Sequence, residues 1–405
     1  MFMNAAERES PPSMARATEA RSAFARLHDL LAPVQHGRPP ISLAVGEPQH
    51  PVPPFVAPVL AANIADFNRY PANRGTDAFR AAVTRWLSRR YSLPRPLDPA
   101  TEAIVLAGTR EGLFLAAIAA RQHAGERPGK PAIVIPNPFY AAYGAGAAAA
   151  QCDAIYMPAV AENGFLPDLD ALPADVLSRT VAFYLASPAN PQGSVADIAY
   201  LQRAIAMARR FGFMLFCDEC YSEIYSQVPP PGALEHAGPD YANVVVFNSL
   251  SKRSNLAGLR VGFAAGDRAF LDRFIEMRNV SAPQVPMPAQ AVAIAAYDDE
   301  AHVEANRALY NAKFDLADQI IGGRYGYRRP AGGFFLWLDV SAQGGGEQAA
   351  LKLWRDAGVR VLPGGYASRT DAGGGNPGEK YIRVAMVQDR DTTAEALHRL
   401  VSVLG

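Results

Sequence analysis

The stretch Asn248-Ser249-Leu250-Ser251-Lys252-Arg253-Ser254-Asn255-Leu256-Ala257-Gly258-Leu259-Arg260 is the most informative part of this chain of 405 residues. The four apolar residues before it, 244–247, predict a buried strand. Lys252 therefore stands just past a strand end, among small hydroxyl residues, with Arg260 eight positions later. A lysine in such a place can lose its charge at little cost and attack a carbonyl carbon as a free amine.

The groups around this lysine are suited to a phosphate. The hydroxyls of Ser249 and Ser251 can donate to phosphate oxygens, and the guanidinium of Arg260 supplies a planar pair of donors. A reactive lysine beside a phosphate cradle is the combination that pyridoxal 5'-phosphate (PLP) requires, with an imine at one end and an anion clamp at the other. A solvated Lys-Arg pair in a polar turn is the alternative, and this short motif alone does not decide between the two.

Two other predicted strand ends carry polar side chains. The apolar run 181–186 ends in Ser-Pro-Ala-Asn-Pro, whose prolines enforce a rigid turn and hold Asn190 as a fixed donor. A second apolar run ends at Asp218, and Tyr221 follows three residues later. A buried carboxylate needs a partner such as a pyridinium nitrogen, and the Tyr221 hydroxyl could reach the phenolic oxygen of the same ring. Singly, a helix cap and core packing are simpler interpretations; together with Lys252, at successive strand ends, these residues predict a ligand site.

From about residue 41 to the C-terminus, these residues in this order resemble the fold-type I PLP-dependent enzymes, specifically the class I/II aminotransferases. The resemblance implies an α/β fold, with a mostly parallel seven-stranded sheet in a large domain and a smaller α+β domain. It also implies PLP as cofactor, an amino acid and a keto acid (2-oxoglutarate or glutamate) as substrates, and a cytoplasmic homodimer with shared active sites. Lys252, Asp218 and Tyr221 would be the catalytic residues.

The resemblance assigns cofactor contacts to further residues. Gly108, Thr109 and Arg110 follow a short apolar strand and open a helix, whose backbone amides can hold the phosphate. Tyr140, in Asn-Pro-Phe-Tyr, corresponds to the aromatic residue that stacks on the cofactor ring. Tyr70, in Tyr-Pro-x-x-x-Gly-Thr, corresponds to the tyrosine that reaches the phosphate of the neighbouring subunit.

Substrate contacts are implied at both ends of the chain. Gly46, in Val-Gly-Glu-Pro, matches the segment that closes over the substrate. Arg383, in Tyr-Ile-Arg-Val-Ala, matches the arginine that grips the substrate α-carboxylate, with Asn190 beside it. A guanidinium suits this role because its planar fork forms two hydrogen bonds to a carboxylate. Without the resemblance, Arg383 would be interpreted as a surface ion pair with Asp389 or Glu379, the commoner fate of a strand-end arginine.

Within the family, the segments 249–267, 306–315 and 362–383 are similar to the succinyldiaminopimelate transaminases of bacterial lysine biosynthesis. Two residues depart from that group: Ala257 stands where proline is usual, and Val261 where serine is common. The similarity implies N-succinyl-LL-2,6-diaminopimelate as the amino donor and 2-oxoglutarate as the acceptor.

A substrate of that kind carries a distal carboxylate and a succinyl group, so its site needs a second cationic contact. Arg369, Arg74 and Arg253 are the candidates, and we favour Arg369. Each of the three is also compatible with an ordinary structural or surface role.

Three other functions share some of these features. An aminotransferase for aspartate, aromatic or branched amino acids would share every cofactor residue. A PLP-dependent cystathionine β-lyase would share them too, but would release ammonia and pyruvate without using a keto acid. A non-catalytic effector domain of a transcription factor would need a DNA-binding domain, and residues 1–40 show no helix-turn-helix pattern.

Charge and cysteine content argue against several partners. Basic and acidic residues number 39 each, which argues against nucleic acid or an anionic membrane as the main partner. The apolar runs are strand-length, short of the ~20 residues that span a bilayer, and residues 1–40 show no signal peptide pattern. The three cysteines predict a reducing compartment, and Cys217 and Cys220 have no second Cys/His pair at zinc spacing, so we expect no metal.

The alternation of helix and strand patterns between about residues 76 and 280 predicts a mostly parallel sheet covered on both faces. Helices are predicted over 77–90, 111–122, 197–210, 267–278 and 299–320. The proline-containing stretch 281–288 is interpreted as a hinge. We therefore divide the chain into an N-terminal arm (1–40), an N-terminal segment of the small domain and interface (41–75), a large PLP-binding domain (76–285) and a C-terminal small domain (286–405).

Overall fold

The computed structural model describes residues 22–371 and 373–405. Its strands form a sheet of seven, a sheet of three and a sheet of two within these ranges. They are β1 (Ile41–Ser42), β2 (Ala103–Leu106), β3 (Ala132–Asn137), β4 (Asp153–Pro158), β5 (Thr180–Ala186), β6 (Met214–Asp218), β7 (Val244–Ser249), β8 (Gly262–Gly266), β9 (Phe335–Asp339), β10 (Val359–Arg360), β11 (Leu362–Pro363) and β12 (Tyr381–Ala385).

The seven-stranded sheet has the order β2-β8-β7-β6-β5-β3-β4. Only β8 runs antiparallel to its neighbours β2 and β7, and the other pairs are parallel. Successive residues of β7 alternate between two apolar cores, with Val244 and Val246 in one and Val245 and Phe247 in the other. A sheet buried on both faces needs such continuous apolar strands. The predicted fold, a mostly parallel seven-stranded sheet, is confirmed.

Helices cover the sheet at bounds close to the predicted ones. They span Ala23–Leu31, Val56–Ala62, Asp77–Arg90, Thr109–His123, Ala141–Ala149, Ala174–Arg179, Ile198–Phe211, Leu250–Arg253, Arg268–Ser281, Met287–Asp298, Ala301–Ile320, Gly346–Ala357 and Arg390–Leu404. Asp197 and Asp267, predicted as first residues of their helices, are instead N-caps whose side chains accept from the amides of Tyr200 and Phe270. None of these helices is long and apolar enough to cross a membrane.

The membership of the two apolar cores favours a division between the domains later in the chain than residue 285. The helix Met287–Asp298 packs against Asp77–Arg90 and Val56–Ala62. Its Val292 and Tyr297 side chains belong to the apolar core of the large domain. A separate core begins with Ala301–Ile320 and includes β9 and β12. We therefore propose that the large domain extends through Asp298 rather than ending at residue 285.

The N-terminal part of the chain divides between the domains. Residues 1–21 of the predicted arm lie outside the described ranges. The helix Ala23–Leu31 buries Leu27 and Leu31 against Leu362 and Tyr366 of the small domain. β1 pairs with β10 of the small domain, and this leads residues 43–50 from the small domain to the edge of the large sheet.

Candidate active site

The carboxyl ends of three neighbouring strands bring the predicted residues together. β5, β6 and β7 are parallel, and Ala186, Asp218 and Phe247 lie opposite one another across them. Asn190 follows β5, Asp218 ends β6, and Lys252 lies in the short helix that follows β7. Because parallel strands end at one edge of the sheet, side chains distant in sequence share one cleft there.

Lys252 is a buried amine with an apolar surround. Its Nζ donates to the backbone carbonyl oxygen of Gly46 at 2.5 Å. It lies 5.2 Å from the ring centroid of Phe334 and 6.0 Å from that of Tyr221. Burial lowers the pKa of Lys252 to about 8. A larger fraction of this lysine than of an exposed one is therefore an uncharged nucleophile near neutral pH.

Asp218 is held by a residue that sequence reasoning missed. The Tyr143 hydroxyl donates to Asp218 Oδ2 at 2.7 Å, and the Cys220 amide donates to Asp218 Oδ1 at 3.2 Å. Tyr143 is itself fixed by stacking on Tyr184, with ring centroids 4.5 Å apart. Burial raises the pKa of Asp218, and these hydrogen bonds and the Lys252 charge oppose the rise. The spacing of Tyr143 one helical turn after Tyr140 is the only sequence signal for this contact.

Replacing Tyr143 by phenylalanine is expected to raise the pKa of Asp218 further, because the carboxylate loses one donor in a buried site. The ring and its stacking on Tyr184 remain, so we expect unchanged folding. Activity should fall by about tenfold, the effect of one hydrogen bond to a charged group. The measurement is the pH dependence of kcat/KM, whose acid limb should move to higher pH. Tyr156→Phe is a matched control, and an unmoved acid limb would contradict the assignment.

Arg383 and Asn190 form a second buried polar group. Arg383 Nη1 donates to Asn190 Oδ1 at 3.2 Å, and its Nη2 donates to the Ala44 carbonyl oxygen at 2.8 Å. The guanidinium lies 4.4 Å over the ring of Phe335, and burial lowers the pKa of Arg383 to about 10.

No carboxylate of the described residues pairs with Arg383. Asp389, one surface partner considered from the sequence, instead caps the last helix through Thr392. A buried guanidinium without a carboxylate is costly. Arg383 is thus placed to bind an anion in the cleft.

The other end of the cleft is a cradle at a helix start. Gly108 has a φ of +80° and a ψ of 156°, a backbone conformation that favours glycine over residues with a side chain, and the Arg260 guanidinium lies close beside it. Thr109 opens a helix of 15 residues, whose first amides point at the space beside Gly108. Arg260 is exposed, and its Nη1 and Nη2 donate to backbone carbonyl oxygens at 2.7 and 3.2 Å. This cradle fits a phosphate group.

The remaining predicted cofactor residues surround this cradle. Ser249 caps the lysine helix by accepting from the Ser251 amide at 3.3 Å. Arg110 Nε donates to the Tyr140 hydroxyl at 2.8 Å. This hydrogen bond is directed away from the cradle and orients the Tyr140 ring. Tyr70 is 95% exposed in the single chain and stands apart from the other predicted residues.

The arrangement as a whole fits PLP. An amine with a lowered pKa, a buried carboxylate and an anion cradle lie in one cleft at the edge of the sheet. Cys217 and Cys220 are buried free thiols, and burial raises the pKa of both. Across residues 22–371 and 373–405, no group of three His, Cys, Asp or Glu side chains could hold a metal.

Two of the arginines considered for the distal substrate group are occupied elsewhere. Arg74 pairs with Asp272 at 2.8 Å. Arg253 is fully buried and pairs with Glu300. Arg369 lies 5.2 Å over the ring of Phe139, the residue before Tyr140. Within the described part of the chain, Arg369 forms no ion pair.

A serine, a histidine and an aspartate also lie in hydrogen-bonded order beside the lysine helix. His302 Nε2 lies 2.8 Å from Ser254 Oγ, and its Nδ1 lies 2.6 Å from Asp299 Oδ2. Ser254 has no exposed surface, so no substrate can reach its oxygen. The three residues therefore anchor the lysine helix and are not a hydrolytic triad.

Comparison with known proteins identifies the family. A family model described as aminotransferase class I and II matches residues 38–400. The LL-diaminopimelate aminotransferase of Moorella thermoacetica is 31% identical over 404 residues, which cover 98% of this chain and 97% of that protein. An aminotransferase structure from Neisseria meningitidis superposes with a TM-score of 0.89 at 35% identity, covering 95% of this chain and 98% of that one. A probable N-succinyldiaminopimelate aminotransferase from Thermus thermophilus gives 0.82 at 26% identity, covering 94% and 100%. The chain therefore belongs to the class I and II aminotransferases, which are PLP-dependent enzymes of fold type I.

Proposed function

We propose that this aminotransferase moves the amino group of N-succinyl-LL-2,6-diaminopimelate to 2-oxoglutarate. The observation that carries the chemical part is the Lys252 amine, buried opposite the Asp218 carboxylate and beside the Arg383 guanidinium. A second candidate donor is LL-2,6-diaminopimelate itself, because relatives at 31% and 32% identity carry the name LL-diaminopimelate aminotransferase. The two donors share the reacting amino acid end and differ at the distal end.

The bound cofactor supplies an aldehyde for Lys252 and a ring that accepts the electrons of the broken Cα–H bond. With the cofactor bound, Lys252 would act as general base and acid, taking up and returning the Cα proton at its Nζ. Its pKa of about 8 suits both steps near neutral pH, because each protonation state is well populated. Gly46 accepts a hydrogen bond from the Lys252 amine and orients it.

The other predicted residues orient the reacting groups. Arg383 and Asn190 bind the substrate α-carboxylate, which fixes the Cα–H bond relative to the ring. Asp218 would hold the ring nitrogen of the cofactor in its protonated form, since an ionised buried carboxylate favours an adjacent cation. Tyr221, which lies between Lys252 and Phe334, would donate a hydrogen bond to the ring oxygen of the cofactor.

Arg369 is the residue that favours the succinylated donor. It is half-buried and forms no ion pair within the described residues, whereas Arg74 and Arg253 are paired. A succinyl group ends in a carboxylate, which an unpaired guanidinium attracts. The free donor keeps the distal carboxylate but carries an ammonium group in place of the succinyl group, so it offers Arg369 one carboxylate fewer and one like charge more.

The test is a donor screen against 2-oxoglutarate with N-succinyl-LL-2,6-diaminopimelate, LL-2,6-diaminopimelate, aspartate, phenylalanine and cystathionine. The proposal predicts the highest kcat/KM for the succinylated donor. Preference for aspartate or phenylalanine would overturn the substrate and leave the aminotransferase assignment intact. Release of ammonia and pyruvate from cystathionine without a keto acid would indicate a β-lyase.

Arg369→Gln is expected to lower kcat/KM for the succinylated donor by about 10- to 100-fold, the effect of losing a hydrogen bond to a charged group. The loss with LL-2,6-diaminopimelate should be smaller, because its distal end carries an ammonium group in place of the succinyl carboxylate. Arg328→Gln, at an exposed arginine of the small domain, is the matched control. Equal losses with both donors would contradict a distal contact at Arg369.

We also propose a homodimer with shared active sites. Tyr70 and the nearby Ile64 and Phe67 are 95%, 64% and 57% exposed in the single chain. Three large apolar or aromatic side chains exposed along one short segment favour a protein partner. A second copy covering this segment would bring Tyr70 to the phosphate cradle of its neighbour.

A further inference from the structure

A buried polar cluster outside the cofactor site holds the segment 43–50. His50 Nδ1 lies 2.7 Å from Asn306 Oδ1, and its Nε2 lies 2.9 Å from Lys313 Nζ. Lys313 also donates to the Gln388 carbonyl oxygen at 3.0 Å. Lys313 and Asn306 are 1% and 4% exposed, so both side chains are inside the protein. The segment is therefore tied to the small domain through one histidine.

The same cluster contacts the lysine helix. Asn306 Nδ2 lies 3.4 Å from the carbonyl oxygens of both Lys252 and Arg253. Asn255 Nδ2 donates to Asn306 Oδ1 at 3.0 Å. A single asparagine on the helix Ala301–Ile320 thus bonds both to the backbone of the catalytic lysine and to the ring of His50.

The segment also meets Lys252 directly. Gly46, four residues before His50, accepts from Lys252 Nζ. A Cβ at Gly46 would lie 2.5 Å from the Phe335 ring, so the backbone there is pressed against the wall of the cleft. Lys252 is bonded to this segment at two places, through its side chain at Gly46 and through its backbone by way of Asn306.

We infer that Lys313, His50 and Asn306 are positioning residues that fix the segment 43–50 against the lysine helix and so hold the Gly46 carbonyl oxygen opposite the Lys252 amine. None of the three touches the reacting atoms, and their effect passes through the backbone of the segment and of the helix. The inference concerns the aminotransferase reaction in general and does not depend on which amino donor is used.

The protonation states of the cluster follow from its geometry. Lys313 donates to His50 Nε2, so the ring proton of His50 is on Nδ1 and faces Asn306. A second proton on His50 would point an N–H at Lys313. Burial lowers the pKa of His50. Burial also lowers the pKa of Lys313 to about 7, and the negative charge of Asp389 opposes this lowering. The Tyr310 ring, 4.5 Å from the His50 ring, is the other titratable neighbour.

This sets the direction of the pH dependence. The pKa of His50 is lower in the folded protein than its ordinary value, so folding and closure of the segment favour the neutral ring. The contribution of neutral His50 to the stability of the folded segment is fully present above about pH 6.5 and is lost as the pH falls below that value. Acid should therefore loosen residues 43–50 before it affects the core.

Lys313→Met tests the inference, because methionine keeps the apolar length and removes the donor. Amide hydrogen exchange in the cofactor-free protein should be at least about tenfold faster in residues 43–50 and in the lysine helix. Exchange elsewhere should be unchanged. In the cofactor-loaded enzyme kcat should fall about tenfold. Lys352→Met, at an exposed lysine, is the control. Unchanged exchange in both segments would overturn the inference, even if activity fell.

His50→Gln provides a second, independent test. The glutamine amide oxygen can still accept from Lys313, but this side chain does not titrate. In the natural protein the protection of residues 43–50 should weaken as pH falls from about 6 to 4.5, a range below the pKa of Lys313 of about 7, and in His50→Gln it should not change over that range. The same pH dependence in both proteins would show that His50 does not control the segment and would overturn the inference.

Discussion

Replacing Lys252 by alanine is expected to abolish transamination while the cofactor still binds without a covalent bond. In the proposed mechanism, Lys252 supplies both the nucleophile that holds the cofactor and the amine that moves the Cα proton. Loss of the proton carrier alone costs about 10²- to 10⁴-fold, and loss of the nucleophile adds to this. The anion cradle of Gly108, Thr109 and Arg260 is untouched by the substitution, so the phosphate end should still bind.

The measurement combines turnover with absorption spectroscopy. The substituted enzyme should show the spectrum of the free aldehyde form of the cofactor, and borohydride should not fix the cofactor to the chain. Exogenous small amines should restore part of the activity, because they can carry the proton in the space that the side chain leaves. Lys352→Ala is the control, because that lysine is exposed on the small domain. Activity of Lys252→Ala within tenfold of the natural enzyme would refute the central role of this residue.

The parts of the site that the sequence predicted lie at strand ends. Asn190, Asp218 and Lys252 each follow an apolar run short enough to be recognised locally, and parallel strands carry their ends to one edge. The glycine of the anion cradle was predictable for a similar reason, because it stands between a strand and a helix of 15 residues. Local patterns of this kind predict both that a strand is present and which residue ends it.

Contacts made between distant parts of the chain had no such pattern. Gly46 and Lys252 are 206 residues apart, and only packing of the small domain on the large one brings them together. Tyr143 looks like a core aromatic in sequence, and its hydroxyl acquires a role only because β6 ends beneath it. Lys313 lies in an amphipathic helix where a lysine is usually exposed, yet it is 1% exposed.

Arg253 illustrates the opposite error. It stands beside Lys252 in a polar stretch, and it is one of the three arginines considered as the cation for a distal substrate group. The side chain instead lies fully buried between the rings of Trp86 and Tyr297, at 5.3 and 5.2 Å. The polarity of neighbouring residues in the sequence indicates only how exposed such a stretch is on average. This guanidinium is buried by two aromatic rings from other elements and is neutralised by Glu300.

Asp218→Asn is expected to have the second largest effect, a loss of about 10²- to 10³-fold in kcat, the range for removing one partner of a buried charge pair. The asparagine keeps the size of the side chain: its amide oxygen can accept from the Cys220 amide, and its NH2 group can donate to the Tyr143 hydroxyl oxygen. What changes is the charge, so the ring nitrogen of the cofactor loses the anion that keeps it protonated, and the ring becomes a weaker acceptor of electrons.

The predicted loss is in chemistry rather than in binding of the substrate. KM for both substrates should change little, because Arg383 and Asn190 are not altered. A kinetic isotope effect with Cα-deuterated donor should increase, because proton removal becomes slower relative to the other steps. Asp218→Glu retains the charge but lengthens the side chain in a buried site, so a smaller loss there would assign the effect to charge. If kcat fell no more in Asp218→Asn than in Tyr143→Phe, the proposed role of the Asp218 charge would be contradicted. The loss would then be explained by the hydrogen bond of the Tyr143 hydroxyl alone.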